Sequence, residues 1–202
     1  MSICYIVGAG SFYGDLSPKA GDLVIAADGG HDTLLRLGIA PDLILGDMDS
    51  VITPADGVER VVYPVRKDET DSFLAYREGV RRGYTEFMLY GCTGGRDDHT
   101  LANYALLVYA RAVGHRATLV GEKCHAIALI NESVTVEGEE RAHLSVFAYG
   151  GEASGVSIKG AEYEADGISL SPVYPLGVSN RFLSSPITVS VSDGTLLLLW
   201  EK

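Results

Sequence analysis

The sequence predicts two domains of different class: an α/β domain with a mostly parallel sheet over residues 1–122, then an all-β antiparallel domain over 123–202. Three observations predict this. Short apolar runs alternate with helix-like stretches up to about residue 121, helical periodicity then disappears, and closely spaced turn residues break up the remainder of the chain.

In the first half the expected strands are Ile3 to Gly8, Leu23 to Ala27, Leu43 to Leu45, Glu59 to Tyr63, Phe87 to Tyr90 and Ala117 to Val120. Helices are expected to fill the gaps. The first runs from His31 to Leu37, closed by Gly38 as a left-handed cap and by Pro41 beyond it. A second covers Thr70 to Arg82, with Phe73, Tyr76 or Arg77, and Val80 on its apolar face. A third covers Thr100 to Val113, with Leu101, Ala105, Val108 and Ala112 on its face. Successive βα units of this kind make a Rossmann-like sheet. In the second half, runs such as His125 to Ile130, Val134 to Glu137, Leu144 to Phe147, Gly155 to Ile158, Ile187 to Val191 and Thr195 to Trp200 read as an antiparallel sandwich or barrel.

Composition excludes several classes. A chain of 202 residues with 47% hydrophobic content buries a real core, which rules out disorder and fibrous structure. No run approaches the roughly 20 apolar residues of a membrane span, and MSICYIVGAG lacks the features of a secretory leader, so a cytoplasmic protein is expected. Cys4, Cys92 and Cys124 match no metal spacing and read as free thiols. A formal charge of −11 argues against nucleic acid as a partner. If the acidic side chains gather where a phosphate-bearing ligand binds, divalent cations must stand between the two.

The aspartates fall immediately after strands. Asp28 follows the second in ADGG, Asp47 and Asp49 the third in GDMDS, Asp68 and Asp71 the fourth in KDETD, and Asp97 and Asp98 the fifth in GGRDDH. In an open parallel sheet those strand ends share one edge, where ligands bind at the topological switch point. Asp28, Asp68 and Asp97 are equally readable as helix caps. Asp47 and Asp49, at i and i+2, can both turn toward one hard cation, whereas a cap needs only one of them. Gly29-Gly30 and Gly94-Gly95 each precede a helix and can present amides to an anion. Arg96 beside Gly94-Gly95 and Lys67 beside the Asp68/Asp71 pair are either phosphate-binding groups or solvated charges. His99 either donates to phosphate or packs. The G-A-G-S-F-Y-G run has one residue too many for a dinucleotide fingerprint and reads as a tight turn near the nucleotide.

Read in order, ADGG at 27–30, PDLILGDMDS at 41–50, KDETD at 67–71 and GGRDDHTLAN at 94–103 resemble the conserved blocks of the thiamine pyrophosphokinase family. The resemblance implies an α/β catalytic domain followed by a β-sandwich that helps bind thiamine, in a homodimer whose active sites are shared between subunits. It implies a magnesium-dependent enzyme that moves a diphosphate group from ATP to thiamine. Asp47, Asp49 and Asp71 would hold Mg²⁺, and Asp98 would complete the acidic site. Asp28, Gly29, Gly30, Lys67, Asp68, Thr70, Arg96 and His99 would lie along the nucleotide, with Asp49, Asp71 and Asp98 closest to the chemistry. In the second half GVSN at 177–180 is similar to the family's Ser-Asn element, so Ser179 and Asn180 would reach thiamine. GAEYEA at 160–165 keeps the glycine and Tyr163 of another family block but lacks its lysine and proline, and Asp97 stands where an apolar residue is usual. Because the first-half motifs specify the donor better than the acceptor, two other readings stay open. One is a diphosphokinase for another hydroxymethyl heterocycle such as a pterin, and the other is a non-catalytic nucleotide- or thiamine-binding module.

Overall fold

The computed structural model describes residues 2–46, 57–62 and 68–201. The chain divides into two compact units, residues 1–106 with 114–122, and residues 107–113 with 123–202.

The first unit is built on parallel strands β1 (Cys4–Val7), β2 (Leu23–Ala27), β3 (Leu43–Gly46), β4 (Glu59–Val62), β5 (Glu86–Tyr90) and β6 (Arg116–Val120). Their order in the sheet is β6-β5-β1-β2-β3-β4, and each neighbouring pair is parallel. β1, β2 and β3 are buried at every position, which is why they read as continuous apolar runs: a parallel sheet covered on both faces has no polar side. Tyr5, Val7, Val24, Ala26 and Ile44 enter a cluster with Leu34 and Leu16. Cys4, Ile6, Ile25, Leu43 and Leu45, at the alternate positions, are equally buried.

Helices α1 (Gly30–Arg36), α2 (Asp71–Arg81) and α3 (Asp97–Ala112) occupy the predicted places. Gly38, Gly83 and Gly114 follow them with φ of 70°, 90° and 87°, the left-handed conformation that ends a helix. Two expected apolar faces are corrected. On α2 the buried residues are Ser72, Leu74, Ala75, Tyr76, Glu78 and Gly79, while Arg77 is exposed and Phe73 and Val80 are only partly covered. On α3 the buried positions are Asn103, Leu106, Leu107 and Ala110, and Leu101 is 68% exposed. The physical reason on α2 is close approach. A Cβ on Gly79 would stand 2.7 Å from Phe87 Cε1 and 2.8 Å from Cys4 Sγ, so that point of the face admits only glycine, while Tyr76 packs on Phe87 with ring centroids 4.7 Å apart.

The expectation that helices fill every gap is also corrected. Residues 8–22, between β1 and β2, contain no helix. Gly8, Gly10, Gly14, Pro18 and Gly21 interrupt helical periodicity there. Asp22 organises the segment instead, its carboxylate accepting from Ile3 N and Lys19 N at 2.8 Å each. Those amide bonds hold the Asp22 carboxyl below its ordinary range. Phe12 stacks on Tyr90 with ring centroids 5.3 Å apart.

The second unit contains two antiparallel sheets. Strands β7 (His125–Ile130), β9 (His143–Ala148), β12 (Asn180–Arg181) and β14 (Thr195–Trp200) pair in the order β12-β9-β14-β7. Strands β8 (Ser133–Val136), β10 (Ala153–Lys159), β11 (Ala165–Leu170) and β13 (Ile187–Ser190) pair in the order β11-β10-β13-β8. Leu129, Leu144, Val146, Leu196 and Leu198 of one sheet and Val136, Val156, Ile158, Ile187 and Val189 of the other share a core with Phe182. The antiparallel expectation is met, with β11 and β12 added. Among the described residues no helix is long and apolar enough to cross a membrane.

Replacing Gly79 by Ala should destabilise the fold by about 1–2 kcal/mol although Ala is the better helix former, because overpacking against Phe87 and Cys4 outweighs propensity. Urea denaturation measures it, and an unchanged midpoint would refute the packing argument. A second prediction concerns Glu78, 6% exposed and paired with Arg81 and Arg82 at 2.6 and 2.8 Å. The Arg81 hydrogen bond is the main cause that lowers its carboxyl from 4.5 to about 2, with Arg82 adding to it. A folded-state pKa below the unfolded one stabilises fully above about pH 4.5, and that stabilisation is lost as pH falls toward 2. With the exposed Arg81 screened by solvent, roughly 1–2 kcal/mol is at stake. Glu78→Gln should lower stability at pH 7 and flatten the acid limb of the stability–pH curve.

Candidate active site

In the order β6-β5-β1-β2-β3-β4 the chain reverses direction between β1 and β5, and there the two strands extend past their regular pairing. Gly8 N donates to Tyr90 O at 2.8 Å, Gly10 N to Gly91 O at 2.7 Å and Ser11 N to Thr93 O at 2.8 Å. No side chain fits between these backbones. A Cβ on Gly8 would stand 2.7 Å from Gly91 O, and one on Gly10 equally close to the same oxygen. The GAG run is therefore a close backbone contact with the residues after β5, where its spacing had suggested a tight turn.

Above this contact opens a cavity of about 340 Å³. Its floor is Gly8, Ala9, Gly10, Gly91, Cys92 and Thr93. Its walls are Asp28 from the end of β2, Asp71 and Ser72 from the first turn of α2, and Gly95, Arg96, His99, Thr100 and Asn103 from α3 and the loop before it. Four residues predicted from the sequence, Asp28, Asp71, Arg96 and His99, thus converge on one cleft.

Each is placed by local structure. Asp28 adopts φ 52°, the left-handed region that a non-glycine residue seldom occupies. Its amide is bonded to Leu45 O at 2.8 Å. Asp28 Oδ1 is buried with no hydrogen-bond partner among the described residues. Asp71 opens α2, where a carboxylate suits the helix dipole. The cap of that helix is Thr70, whose Oγ1 accepts from Phe73 N at 3.3 Å. Asp68 is exposed and, like Thr70, is not part of the cleft wall. Arg96 forms a two-point pair with Asp98, Nε–Oδ1 at 3.1 Å and Nη2–Oδ2 at 2.6 Å. The guanidinium holds the Asp98 carboxyl below its usual range, and Asp98 itself stands outside the cleft wall.

Gly29 is the N-cap of α1 and Gly30 its first residue. A Cβ on Gly30 would overlap the Val7 carbonyl, so this glycine seats the helix on β1. Asp47, Asp49 and Lys67 lie outside the described residues. The cleft cysteine is chemically quiet, since burial pushes the Cys92 thiol up to about 12. Cys4 is raised to about 12 in the same way.

In the second unit, Ser179 has φ 62° and donates its amide to Ser145 Oγ at 3.1 Å. Asn180, 6% exposed, is committed internally. Its Oδ1 accepts from Tyr163 N and Arg181 N at 2.9 Å each, and its Nδ2 donates to Tyr163 O at 2.7 Å. The side chain thereby acts as a strand partner for Tyr163, which is itself 67% exposed.

Sequence reasoning missed Ser72, Cys92, Thr93, Thr100 and Asn103. One signal pointed to Asn103: it lies at i−3, i−4 and i−7 from Leu106, Leu107 and Ala110, a polar residue inside an apolar stripe.

Comparison with known proteins agrees with this arrangement. The family model described as thiamin pyrophosphokinase, catalytic domain, matches residues 17–119. The model for the vitamin B1 binding domain of the same family matches residues 131–196. The thiamine pyrophosphokinase of Bacillus subtilis (strain 168) is 27% identical over 184 residues, spanning 88% of this chain and 86% of the relative. The crystal structure of thiamine pyrophosphokinase from Bacillus subtilis superposes with a TM-score of 0.89 at 25% identity, covering 100% of this chain and 99% of that one. The thiamin pyrophosphokinase structure from Geobacillus thermodenitrificans gives 0.85 at 25% identity, over 99% and 97% of the two chains. With both characteristic domains matched in sequence order, the chain belongs to the thiamin pyrophosphokinase family.

Proposed function

We propose that this chain transfers the diphosphate group of ATP to the hydroxyl of thiamine, producing thiamine diphosphate and AMP. The observation that carries the reading is the cleft at the β1/β5 reversal. There, a backbone floor with glycine at the contact points lies below two carboxylates, a guanidinium and an imidazole. Phosphate oxygens need close approach and charge neutralisation, and the glycine floor allows the first while Arg96 and His99 of the wall offer the second. The match of residues 131–196 to a vitamin B1 binding domain favours thiamine over a pterin as acceptor. It also favours an enzyme with residues 1–122 catalytic and residues 123–202 binding thiamine.

Mg²⁺ fits the donors of the cleft. Asp28 Oδ1 is a buried carboxylate oxygen without a partner among the described residues, and Asp71 lines the same wall. Both are hard oxygen donors of the kind magnesium prefers. By the family resemblance Asp47, Asp49 and Asp71 would hold the ion, and we infer that Asp28 would join them. When bound, the ion neutralises the charge that develops on the phosphates.

The chain's own residues divide the remaining work. Arg96, held in orientation by Asp98, and His99 bind the phosphates on the α3 side. Gly29, Gly30, Lys67, Asp68 and Thr70 border the nucleotide. The thiamine hydroxyl oxygen bonds to the β-phosphorus in line as the bridge to the α-phosphorus breaks, and AMP leaves with the bridging oxygen. Proton loss from the hydroxyl is late, so Asp71 suffices as acceptor and no strong base is required. Asp98, tied up by Arg96 with its carboxyl held low, serves better as an anchor for that arginine than as a base.

Ser179 and Asn180 shape the thiamine end, Asn180 by fixing the Tyr163 backbone. Working as a homodimer agrees with the exposed apolar side chains Tyr163, Val173, Tyr174, Leu176 and Leu183 on the segment that carries these residues.

With ATP and thiamine supplied, AMP and thiamine diphosphate should form in equal amounts by chromatography. ADP with thiamine monophosphate would overturn the reading, and nucleotide binding without AMP release would make the chain a sensor. Asp71→Asn should lower kcat by at least about 100-fold, about 3 kcal/mol of transition-state stabilisation, with an unchanged melting curve. Full turnover in that variant would remove Asp71 from the mechanism.

A further inference from the structure

Beneath the carboxylate wall lies a chain of buried hydrogen bonds that ties the three elements of the cleft together. Ser72 is 9% exposed and Asn103 is 4% exposed. Ser72 Oγ bonds to Asn103 Oδ1 at 2.5 Å, Asn103 Nδ2 to Cys92 O at 2.8 Å, and Thr70 Oγ1 lies 3.2 Å from Ser72 Oγ. Donor accounting fixes every direction in this chain. Cys92 O can only accept, so the amide nitrogen of Asn103 faces it and the amide oxygen faces Ser72. Ser72 commits its one proton to that oxygen, and Thr70 must therefore donate to Ser72. Thr70 still has a lone pair for Phe73 N, which is the helix cap. Proton direction thus runs without conflict from the start of α2 through α3 to the segment that follows β5.

We propose that Ser72 and Asn103 are positioning residues for Asp71: a strut that sets the first turn of α2 against the floor of the cleft and holds the adjacent carboxylate at its station. The inference rests on the reading of Asp71 as a ligand of the donor-bound cation. Asp71 and Ser72 are consecutive in the first turn, so any rotation of that turn moves both. The cap alone leaves the rotation unset, because Thr70 and Phe73 belong to the same helix. Asn103 and Cys92 belong to other elements and supply an external reference at the first turn, two turns from the sheet contact of Gly79. Outer hydrogen-bond partners of this kind typically control metal affinity by 10–100-fold.

The test uses Mn²⁺ as a paramagnetic probe, titrated into the full-length protein with a non-hydrolysable ATP analogue, free Mn²⁺ being read by electron paramagnetic resonance. Ser72→Ala keeps a strong helix former in the turn and should weaken Mn²⁺ binding about 10-fold. Ser72→Thr, which restores the hydroxyl, should lie within about 3-fold of the native protein on the same scale. Native Mn²⁺ affinity in Ser72→Ala, even with a lowered melting temperature, would overturn the strut, as would equal weakening in Ser72→Thr. Asp71→Asn separates the two ideas. If it binds Mn²⁺ like the native protein, the ligand reading of Asp71 fails; if it weakens while Ser72→Ala does not, only the positioning inference fails.

Discussion

The contact between Gly8-Ala9-Gly10 and Gly91-Cys92-Thr93 is the constraint on which the rest of the cleft depends. Its three hydrogen bonds, 2.7–2.8 Å long, tie the two chain segments together beyond the ends of β1 and β5, the strands between which the sheet's order reverses. Each contributes on the order of 1 kcal/mol net, so their energy alone does not distinguish them from other ladder bonds. What distinguishes them is that the spacing excludes a Cβ at Gly8, Gly10 and Gly91. The contact points of the floor are therefore bare backbone, and the charged side chains that line the cleft come from the walls. β2 supplies Asp28, α2 supplies Asp71, and α3 with its leading loop supplies Arg96 and His99.

That division explains what the sequence made legible. β1, β2 and β3 are continuous apolar runs because both sheet faces are covered, and the helix ends are marked by glycines with positive φ. Strand-end aspartates could be assigned to one edge because a parallel sheet puts all its strand C-termini there. The start of α3 was harder to place. It begins at Asp97 instead of Thr100, because two carboxylates in a first turn favour the helix while resembling a loop in composition. Strand β12 is two residues long and exists through its pairing with β9. Strand β11 pairs with β10 across two register shifts, so no regular alternation announced it.

The helix faces were less legible than the helices. Apolar periodicity selects the largest hydrophobes, yet beside Leu74 and Tyr76 the buried face of α2 includes Gly79, whose small volume decides the approach to Phe87 and Cys4. On α3 the polar Asn103 sits in the buried stripe, and its hydrogen bonds with Ser72 and the Cys92 carbonyl offset its cost. Residue types that bind phosphate announce themselves in a sequence. Those that hold the binders in place do so through partners distant in the chain, such as Ser72 to Asn103 at 31 residues, and partnership is a property of the fold.

The turn after β2 shows what the site costs. Asp28 combines a left-handed backbone with a buried, unpartnered carboxylate oxygen, and His31, 3% exposed, has neither ring nitrogen bonded among the described residues. An unsatisfied buried polar group costs about 1–3 kcal/mol, and a left-handed non-glycine residue about as much again. The surroundings keep the turn in place. Asp28 N is bonded to Leu45 O, Gly30 is seated on the Val7 carbonyl, and Leu34 closes the apolar cluster beneath. A relaxed turn would leave Asp28 free to rotate toward solvent and would be more stable. The cost is localised at a carboxylate in the cleft wall, where a cation of the kind proposed above would supply the missing partner of Asp28 Oδ1 and so recover the desolvation part of that cost on binding.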